Sequence, residues 1–170
     1  MSPEQRASLA DLARLRAEIA SDRSAMGRAL EDMGATLGSW AEGVPDRPHL
    51  ALGALALHGW YGGLESILER TARALDGTVP SGDAWHRALL SQAMVEIPSL
   101  RPAIVARSLL PELLGLLEFR HFLRHGYGVE LDPVKLRQNL ERATSIAPEV
   151  TRLLERFDLF LEEAMRSVED

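Results

Sequence analysis

The stretch LALGALALHGWYGGLESILERTARAL, residues 50–75, decides the fold class of this chain. Apolar residues cover much of its helical circumference in the first half, which is typical of a helix buried among other helices. We expect this helix to run from about residue 49 to residue 75, with Gly77 just past its end. Four glycines weaken it and would let a neighbouring helix approach closely: Gly53, Gly59, Gly62 and Gly63. The stretch therefore predicts a central helix.

The chain before this stretch predicts one long helix. Between residues 4 and 37 the apolar residues recur at steps of mostly three, four or seven, which places them on one stripe. Three arginines of this helix are expected to face solvent, partly paired with Glu18 and Asp22: Arg14, Arg16 and Arg23. Residues 38–48, GSWAEGVPDRP, then form a loop.

The chain after the central stretch predicts three further helical segments. A short helix is expected over residues 83–97, and Ser99 with Pro102 should start the next segment. Pro111 should kink or restart that segment, which then continues to about His125 and ends at Gly126 and Gly128.

The last helix is predicted to begin at Asp132 and Pro133, which suit the cap and the first helical position. Pro148 is expected to kink or divide it. The sequence has no repeat, no low-complexity segment and no interdomain linker. We therefore expect an all-α, single-domain helical bundle over residues 1–170.

The composition, with 46% hydrophobic and 26% charged residues, is that of an ordinary globular protein. The absence of cysteine excludes disulfides and thiolate metal sites. No run of 18 apolar residues is present, and the N-terminal segment is charged where a signal peptide is apolar. We therefore expect a cytoplasmic protein without a membrane span. The net charge of −6 argues against nucleic-acid binding by overall charge, so any contact with RNA would need a local basic patch.

The stretch FRHFLRHGYG, residues 119–128, collects the side chains best suited to chemistry. Arg120 and Arg124 are four residues apart and share a helix face, and His121 and His125 form a second such pair. Arg120 and His125 lie about 140° apart around an ideal helix, so they would not touch unless the helix end is distorted. A two-fold dimer would instead combine them in one cleft, because each motif is presented twice.

These residue types suit the cleavage of a phosphodiester. RNA carries its own nucleophile, the 2′-hydroxyl, so a metal is not required. A histidine that titrates near neutrality can take or give the proton, and an arginine can stabilise negative charge on phosphorus. Two other interpretations remain open. Arginine and histidine at a helix C-terminus also bind free carbonyls and favour the helix dipole. His121 and His125 could hold a metal, although no HExxH pattern accompanies them.

Residues 120–127, RHFLRHGY, form an R-x4-H-x-Y pattern, and two upstream stretches accompany it. HGWYGGLESILERTARALDG contains the Tyr-x-x-x-Glu pair Tyr61 and Glu65, and VPSGDAWHRALLSQAM contains the pair Trp85 and His86. Together these stretches resemble the HepT-like toxins of the HEPN superfamily. The similarity covers roughly residues 49–140, and the order of helices agrees.

The resemblance implies a small HEPN-like α-bundle that cleaves RNA without a metal or cofactor and acts as a homodimer. Carried over by position, Arg120 and His125 form the catalytic pair, while His121 and Arg124 support it and bind substrate. Tyr127 is the position to which a nucleotidyltransferase antitoxin would attach AMP, and the added negative charge would block RNA. The implied partners are RNA, this antitoxin and a second copy of the chain, with no membrane.

Two alternatives to a ribonuclease remain. One is a catalytically inactive HEPN-type binding module that docks a protein partner or a nucleotide, and the other is a helical adaptor whose motif is accidental. Outside the motif, we expect structural roles. Glu65 should satisfy the hydroxyl of the buried Tyr61, Trp85 should pack on the core, and His86 should bind backbone or solvent at a helix start.

Overall fold

The computed structural model describes residues 1–125 and 131–169, with the backbone alone for residues 123–125. Its helices are α1 (Pro3–Ser39), α2 (Arg47–Thr71), α3 (Trp85–Ala93), α4 (Leu110–His125) and α5 (Pro133–Glu169). The described residues contain no β-strand beyond one isolated bridge between Ile97 and Arg101. The predicted all-α class is therefore confirmed.

The helix starts are set by local capping. Ser2 Oγ accepts a bond from the Gln5 backbone N–H at 3.1 Å, and Gln5 Oε1 accepts one from the Ser2 N–H at 2.7 Å. This reciprocal pair is a capping box for α1. Asp46 and Asp132 cap α2 and α5 by accepting bonds from backbone N–H groups of the first turn. Pro133 is the first residue of α5, as predicted.

The long helices α1, α2 and α5 pack against one another, with α4 against α2 and α5, and α3 against α2 and α4. One cluster of buried apolar side chains joins them. Its fully buried members include Ile19, Met33, Trp60, Leu64 and Phe157. The central position predicted for α2 follows from its contacts with α1, α3, α4 and α5.

Two of the four glycines in α2 lie where a neighbouring helix comes close. A Cβ atom on Gly53 would lie 2.6 Å from Thr36 Cγ2 of α1 and 3.2 Å from Leu140 Cδ1 of α5. A Cβ atom on Gly63 would lie 2.6 Å from Met26 Cγ of α1. The predicted close approach is thus confirmed at these two positions.

Polar contacts also tie α1 to its neighbours. Arg16 remains partly exposed, but its Nε donates to Asp158 Oδ1 of α5 at 2.8 Å, so its partner is on another helix. The expected arginine partners Glu18 and Asp22 bind Arg70 of α2 instead, at 2.7 Å and 3.0 Å. Periodicity within one helix cannot reveal these pairs, because their partners lie on other helices.

The segment between α3 and α4 differs from the prediction. α3 ends at Ala93, and Ser99 has a φ of 62°, which does not cap a helix. The buried guanidinium of Arg101 donates to both oxygens of Asp76 at 2.6 Å and to three backbone carbonyls. These bonds satisfy backbone groups that a helix would otherwise pair. Pro111 lies in the first turn of α4, where proline is tolerated, so the predicted restart of the helix at Pro111 is confirmed.

The ends of α2 and α5 give two further outcomes. A π-helical turn, Ala72–Asp76, follows α2, and Gly77 ends it with a φ of 71°, as predicted. α5 continues through Pro148, so the expected division there does not occur. The helix end predicted at Gly126 and Gly128 lies outside the described residues. Within the described ranges, no helix is long and apolar enough to cross a membrane.

Candidate functional site

The motif helix α4 is anchored by its apolar face. Leu113, Leu116, Leu117 and Phe119 are buried in the core. The α-helix continues to His125, so the first six residues of the motif at 120–127 lie on one helix. This packing brings Arg120 to the middle of α2.

Arg120 forms a buried ion pair with Glu65 of α2. Its Nη2 lies 2.9 Å from Glu65 Oε1, and its Nη1 lies 3.4 Å from Oε2. The two side chains are only 11% and 10% exposed, so water and salt screen the pair weakly. Both terminal nitrogens of the guanidinium thus contact one carboxylate, the paired geometry that fixes the plane of an arginine.

His86 of α3 binds the same carboxylate. Its Nδ1 is hydrogen-bonded to Glu65 Oε2, and the imidazole is 7% exposed. Because an ionised carboxylate only accepts, Nδ1 carries the proton and donates it. Trp85 stacks on the imidazole with ring centroids 3.7 Å apart, and His121 meets it edge to face at 5.0 Å. The expectation that His86 binds backbone or solvent was therefore wrong.

Tyr61 lies beneath the guanidinium of Arg120, one helical turn before Glu65. The Cζ of Arg120 is 5.8 Å from the centroid of the Tyr61 ring, within cation–π range. Burial, and after it the negative charge of Glu65, raises the pKa of Tyr61, while Arg120 opposes the shift. Tyr61 is therefore a neutral phenol at physiological pH and offers Arg120 the face of its ring.

Glu65 does not use all the donors of Arg120. Its Nε is buried and has no hydrogen-bond partner among the residues that the structure describes, an arrangement that is unfavourable for a charged group. A guanidinium has five N–H donors, and Glu65 accepts from only two of its nitrogens. Nη1 and Nη2 therefore each keep one hydrogen that Glu65 does not accept.

A small cavity of about 170 Å³ opens beside this cluster. His86 and His121 line it together with three charged residues: Asp83, Arg87 and Glu118. Arg87 and Glu118 are exposed and pair across the cavity rim at 3.2 Å. The cavity gives solvent-borne groups access to the two imidazoles, next to the Arg120–Glu65 pair.

The structure describes part of the predicted site. Arg120 and His121 are described with their side chains, and both lie against the Glu65–His86 cluster. Arg124 and His125 are described by their helical backbone, which places Arg120 and His125 on different helix faces. Tyr127 lies outside the described residues. Among residues 1–125 and 131–169, no three His, Asp or Glu side chains gather as a metal site requires.

Sequence reasoning did not predict that Glu65 and His86 lie beside Arg120 of the motif. Both were expected to be structural, yet they contact Arg120 directly or through one residue. The sequence did contain a signal for such contacts, because Glu65 is a carboxylate in the most apolar helix of the chain and a buried carboxylate needs charged partners. Choosing those partners from the sequence alone was not possible, since His86 and Arg120 are 21 and 55 residues away.

Comparison with known proteins identifies one protein family. A family model described as HepT-like protein matches residues 52–161, well over half of the chain. The matched region contains Glu65, His86 and the whole motif, whereas α1 precedes it. No curated protein and no solved structure matches the chain.

Proposed function

This chain belongs to the HepT-like family of HEPN-type, toxin-related proteins, and we propose that it is a metal-independent endoribonuclease toxin of a toxin–antitoxin system. One observation carries the proposal. The R-x4-H-x-Y motif of residues 120–127 occurs in a member of this family, and its arginine is held by a buried carboxylate. The proposed substrate is RNA, and the proposed place of action is the cytoplasm.

Arg120 and His125 are the proposed catalytic residues. The RNA 2′-oxygen forms a bond to the adjacent phosphorus while the bond to the 5′-oxygen breaks, leaving a cyclic phosphate and a 5′-hydroxyl. His125 of one copy takes the proton of the 2′-hydroxyl, and the departing 5′-oxygen receives a proton from water or from the protonated His125 of the second copy. The N–H groups of Arg120 that Glu65 does not use stabilise the extra negative charge on the pentacoordinate phosphorus.

A homodimer is the proposed active form. Arg120 and His125 lie on different faces of α4, so two copies of the motif would provide one cleft with both groups. His121 and Arg124 are proposed to support the catalytic pair and to bind substrate. The chain has a net charge of −6, so these local groups, rather than overall charge, would bring RNA to the cleft.

The proposed partner is a nucleotidyltransferase antitoxin that attaches AMP to Tyr127. The added phosphate would repel RNA from the neighbouring cleft. Tyr127→Phe should therefore keep growth arrest but escape neutralisation. Co-expression of the variant with the antitoxin, beside the wild type, measures this. Neutralisation of the variant as efficient as that of the wild type would contradict the proposed modification.

The first experiment is RNA cleavage by the purified protein in excess chelator. We expect the wild type to cut RNA and His125→Ala to cut it about 10²–10⁴-fold more slowly. The matched control is His49→Ala, because His49 is an exposed histidine that pairs with Asp46 at the start of α2. This control should cleave at the wild-type rate. Equal cleavage by His125→Ala and wild type would exclude His125 from the reaction.

The second candidate function is an inactive binding module. It is favoured by the burial of Arg120, which at 11% exposure could serve as a structural ion-pair partner. Under this alternative, no RNA is cleaved at any protein concentration, and partner binding survives His125→Ala. The mass of Tyr127-containing peptides must be measured in parallel, because AMP on Tyr127 would silence a true enzyme.

A further inference from the structure

We propose that Glu65 is a positioning residue of the ribonuclease site, which holds the guanidinium of Arg120 in the orientation that transition-state stabilisation requires. This inference rests on the proposed function and adds a residue outside the R-x4-H-x-Y motif. Glu65 lies on a different helix, 55 residues before Arg120. No pattern within the motif points to it.

The first step is the rigidity of the support. Glu65 and Tyr61 are both buried residues of α2, the helix that packs against every other helix. Glu65 meets the two terminal nitrogens of Arg120 from one side, and the Tyr61 ring lies against the guanidinium from another. The long and flexible side chain of Arg120 is thus restricted by two groups of the same helix.

The second step is the fixing of Glu65 itself. His86 donates to Oε2, the oxygen that Arg120 Nη1 also approaches at 3.4 Å. Stacking on Trp85 holds the His86 ring in turn. The carboxylate therefore has a partner on each of two other helices, α3 and α4. A carboxylate held in this way cannot rotate to release Arg120 without losing both partners.

The third step concerns what the arrangement leaves free. Glu65 accepts from one hydrogen of each terminal nitrogen, so Nη1 and Nη2 each keep a second hydrogen that can bind a phosphate oxygen. Donors that are oriented before the reaction stabilise developing charge without reorganising during it. Loss of Glu65 would let Arg120 adopt several rotamers, and misplacement by about 1 Å can slow a reaction about 10²-fold.

The opposite role makes the opposite prediction. If Glu65 withdrew Arg120 from the substrate and neutralised it, the protein would be held inactive by this pair. Replacing Glu65 would then free Arg120 and accelerate RNA cleavage. The sign of the change in rate therefore separates positioning from inhibition.

The test measures kcat and KM for RNA cleavage in Glu65→Gln, which keeps the size of the side chain and removes its charge. We expect kcat to fall about 10²-fold with little change in KM. The matched control is Glu69→Gln, one turn further along α2, where the carboxylate pairs with Arg73 at the surface. It changes the net charge equally and should leave kcat unchanged.

A double variant distinguishes positioning from general damage. Lysine has no planar fork, so Arg120→Lys already loses the paired contact with Glu65. Adding Glu65→Gln to Arg120→Lys should change kcat by no more than about twofold, whereas independent damage would multiply the two losses. A full multiplicative loss, or faster cleavage by Glu65→Gln alone, overturns the proposal. If Glu65→Gln does not fold, Glu65→Asp keeps the charge and should still lower kcat.

A second readout does not depend on activity. In isotope-labelled wild type, NMR should show separate Nη signals for Arg120, because the ion pair slows rotation of the guanidinium. These signals should merge in Glu65→Gln and persist in Glu69→Gln. If the separate Nη signals persist in Glu65→Gln, Glu65 does not hold the guanidinium of Arg120, and the proposal is overturned. Wild type that cleaves no RNA overturns the proposed function, and the NMR signals then still decide whether Glu65 holds Arg120.

Discussion

The carboxylate of Glu65 and the guanidinium of Arg120 form a buried ion pair, with Oε1 2.9 Å from Nη2. Glu65→Ala would leave Arg120 and His86 buried without their shared acceptor. We expect the free energy of unfolding to fall by about 3–5 kcal/mol, the usual effect of breaking a buried pair. Urea unfolding followed by circular dichroism measures it.

The control for this prediction is Glu69→Ala, which removes the exposed pair of Glu69 with Arg73. We expect a change below about 1 kcal/mol, because surface pairs contribute little. If Glu65→Ala were no more destabilised than Glu69→Ala, the burial of the Glu65–Arg120 pair would have no energetic consequence.

Two glycines of α2 should respond in opposite directions to a single methyl group. Gly53→Ala places a Cβ atom 2.6 Å from Thr36 Cγ2, so we expect a loss of about 1–3 kcal/mol from overpacking. Gly59 has open space around its Cβ position, so Gly59→Ala should gain about 0.5–1 kcal/mol through helix propensity. Thermal unfolding of both variants measures these changes in stability. A rise in Tm for Gly53→Ala would contradict the close approach of α1.

The ion pair of Asp76 with Arg101 should make stability depend on acid pH. Burial alone raises the pKa of Asp76, but hydrogen bonds from Arg101 and Gln92 outweigh it and hold this pKa below its ordinary 3.8. The stabilisation is therefore present above the unfolded pKa and is lost as pH falls through the lower folded value. We expect Asp76→Asn to lower the free energy of unfolding by about 3–5 kcal/mol at pH 7.

The measurement is urea unfolding of wild type and Asp76→Asn at neutral pH and well below pH 3.8. The difference in the free energy of unfolding between wild type and Asp76→Asn should become smaller at acid pH, because wild-type Asp76 then becomes protonated. The control is Asp11→Asn on α1, where the carboxylate pairs with Arg14 at the surface. A difference for Asp76→Asn that stays constant with pH would contradict the assigned charge interaction.

The first helix should behave as part of the core, although the family match begins after it. Ile19 is completely buried, and we expect Ile19→Ala to lower the free energy of unfolding by about 2–5 kcal/mol. Leu55→Ala, at a side chain that is 68% exposed, should change it by less than about 0.5 kcal/mol. If Ile19→Ala detached α1 alone and left the main unfolding transition unchanged, α1 would not fold cooperatively with the rest of the bundle.

Local signals in the sequence predicted the helices well where neighbouring residues decide the structure. The period of apolar residues located α1 and α2, because one helix face must be buried. Asp132 with Pro133 located the start of α5, and Gly77 located the end of the turn after α2. Each of these depends on a backbone group and a residue within one turn of it.

The segment around Arg101 could not be predicted in this way. Ser99 and Pro102 have the local features of a helix start, but Arg101 binds Asp76, 25 residues earlier in the chain. Its bonds to three backbone carbonyls replace helical bonds over this segment. The same reason applies to Arg16, whose carboxylate partner Asp158 lies on α5.

By itself, the sequence determined the all-α class, the helix carrying Arg120 and His121, and the resemblance to a HEPN-type family. Those properties follow from residue spacing and from side chains that are close in the chain. Only the tertiary structure decided that Glu65 holds Arg120 and His86. A buried carboxylate must find positive or donating partners, but which residues serve is set by the packing of α2, α3 and α4, since apolar burial aligns these helices.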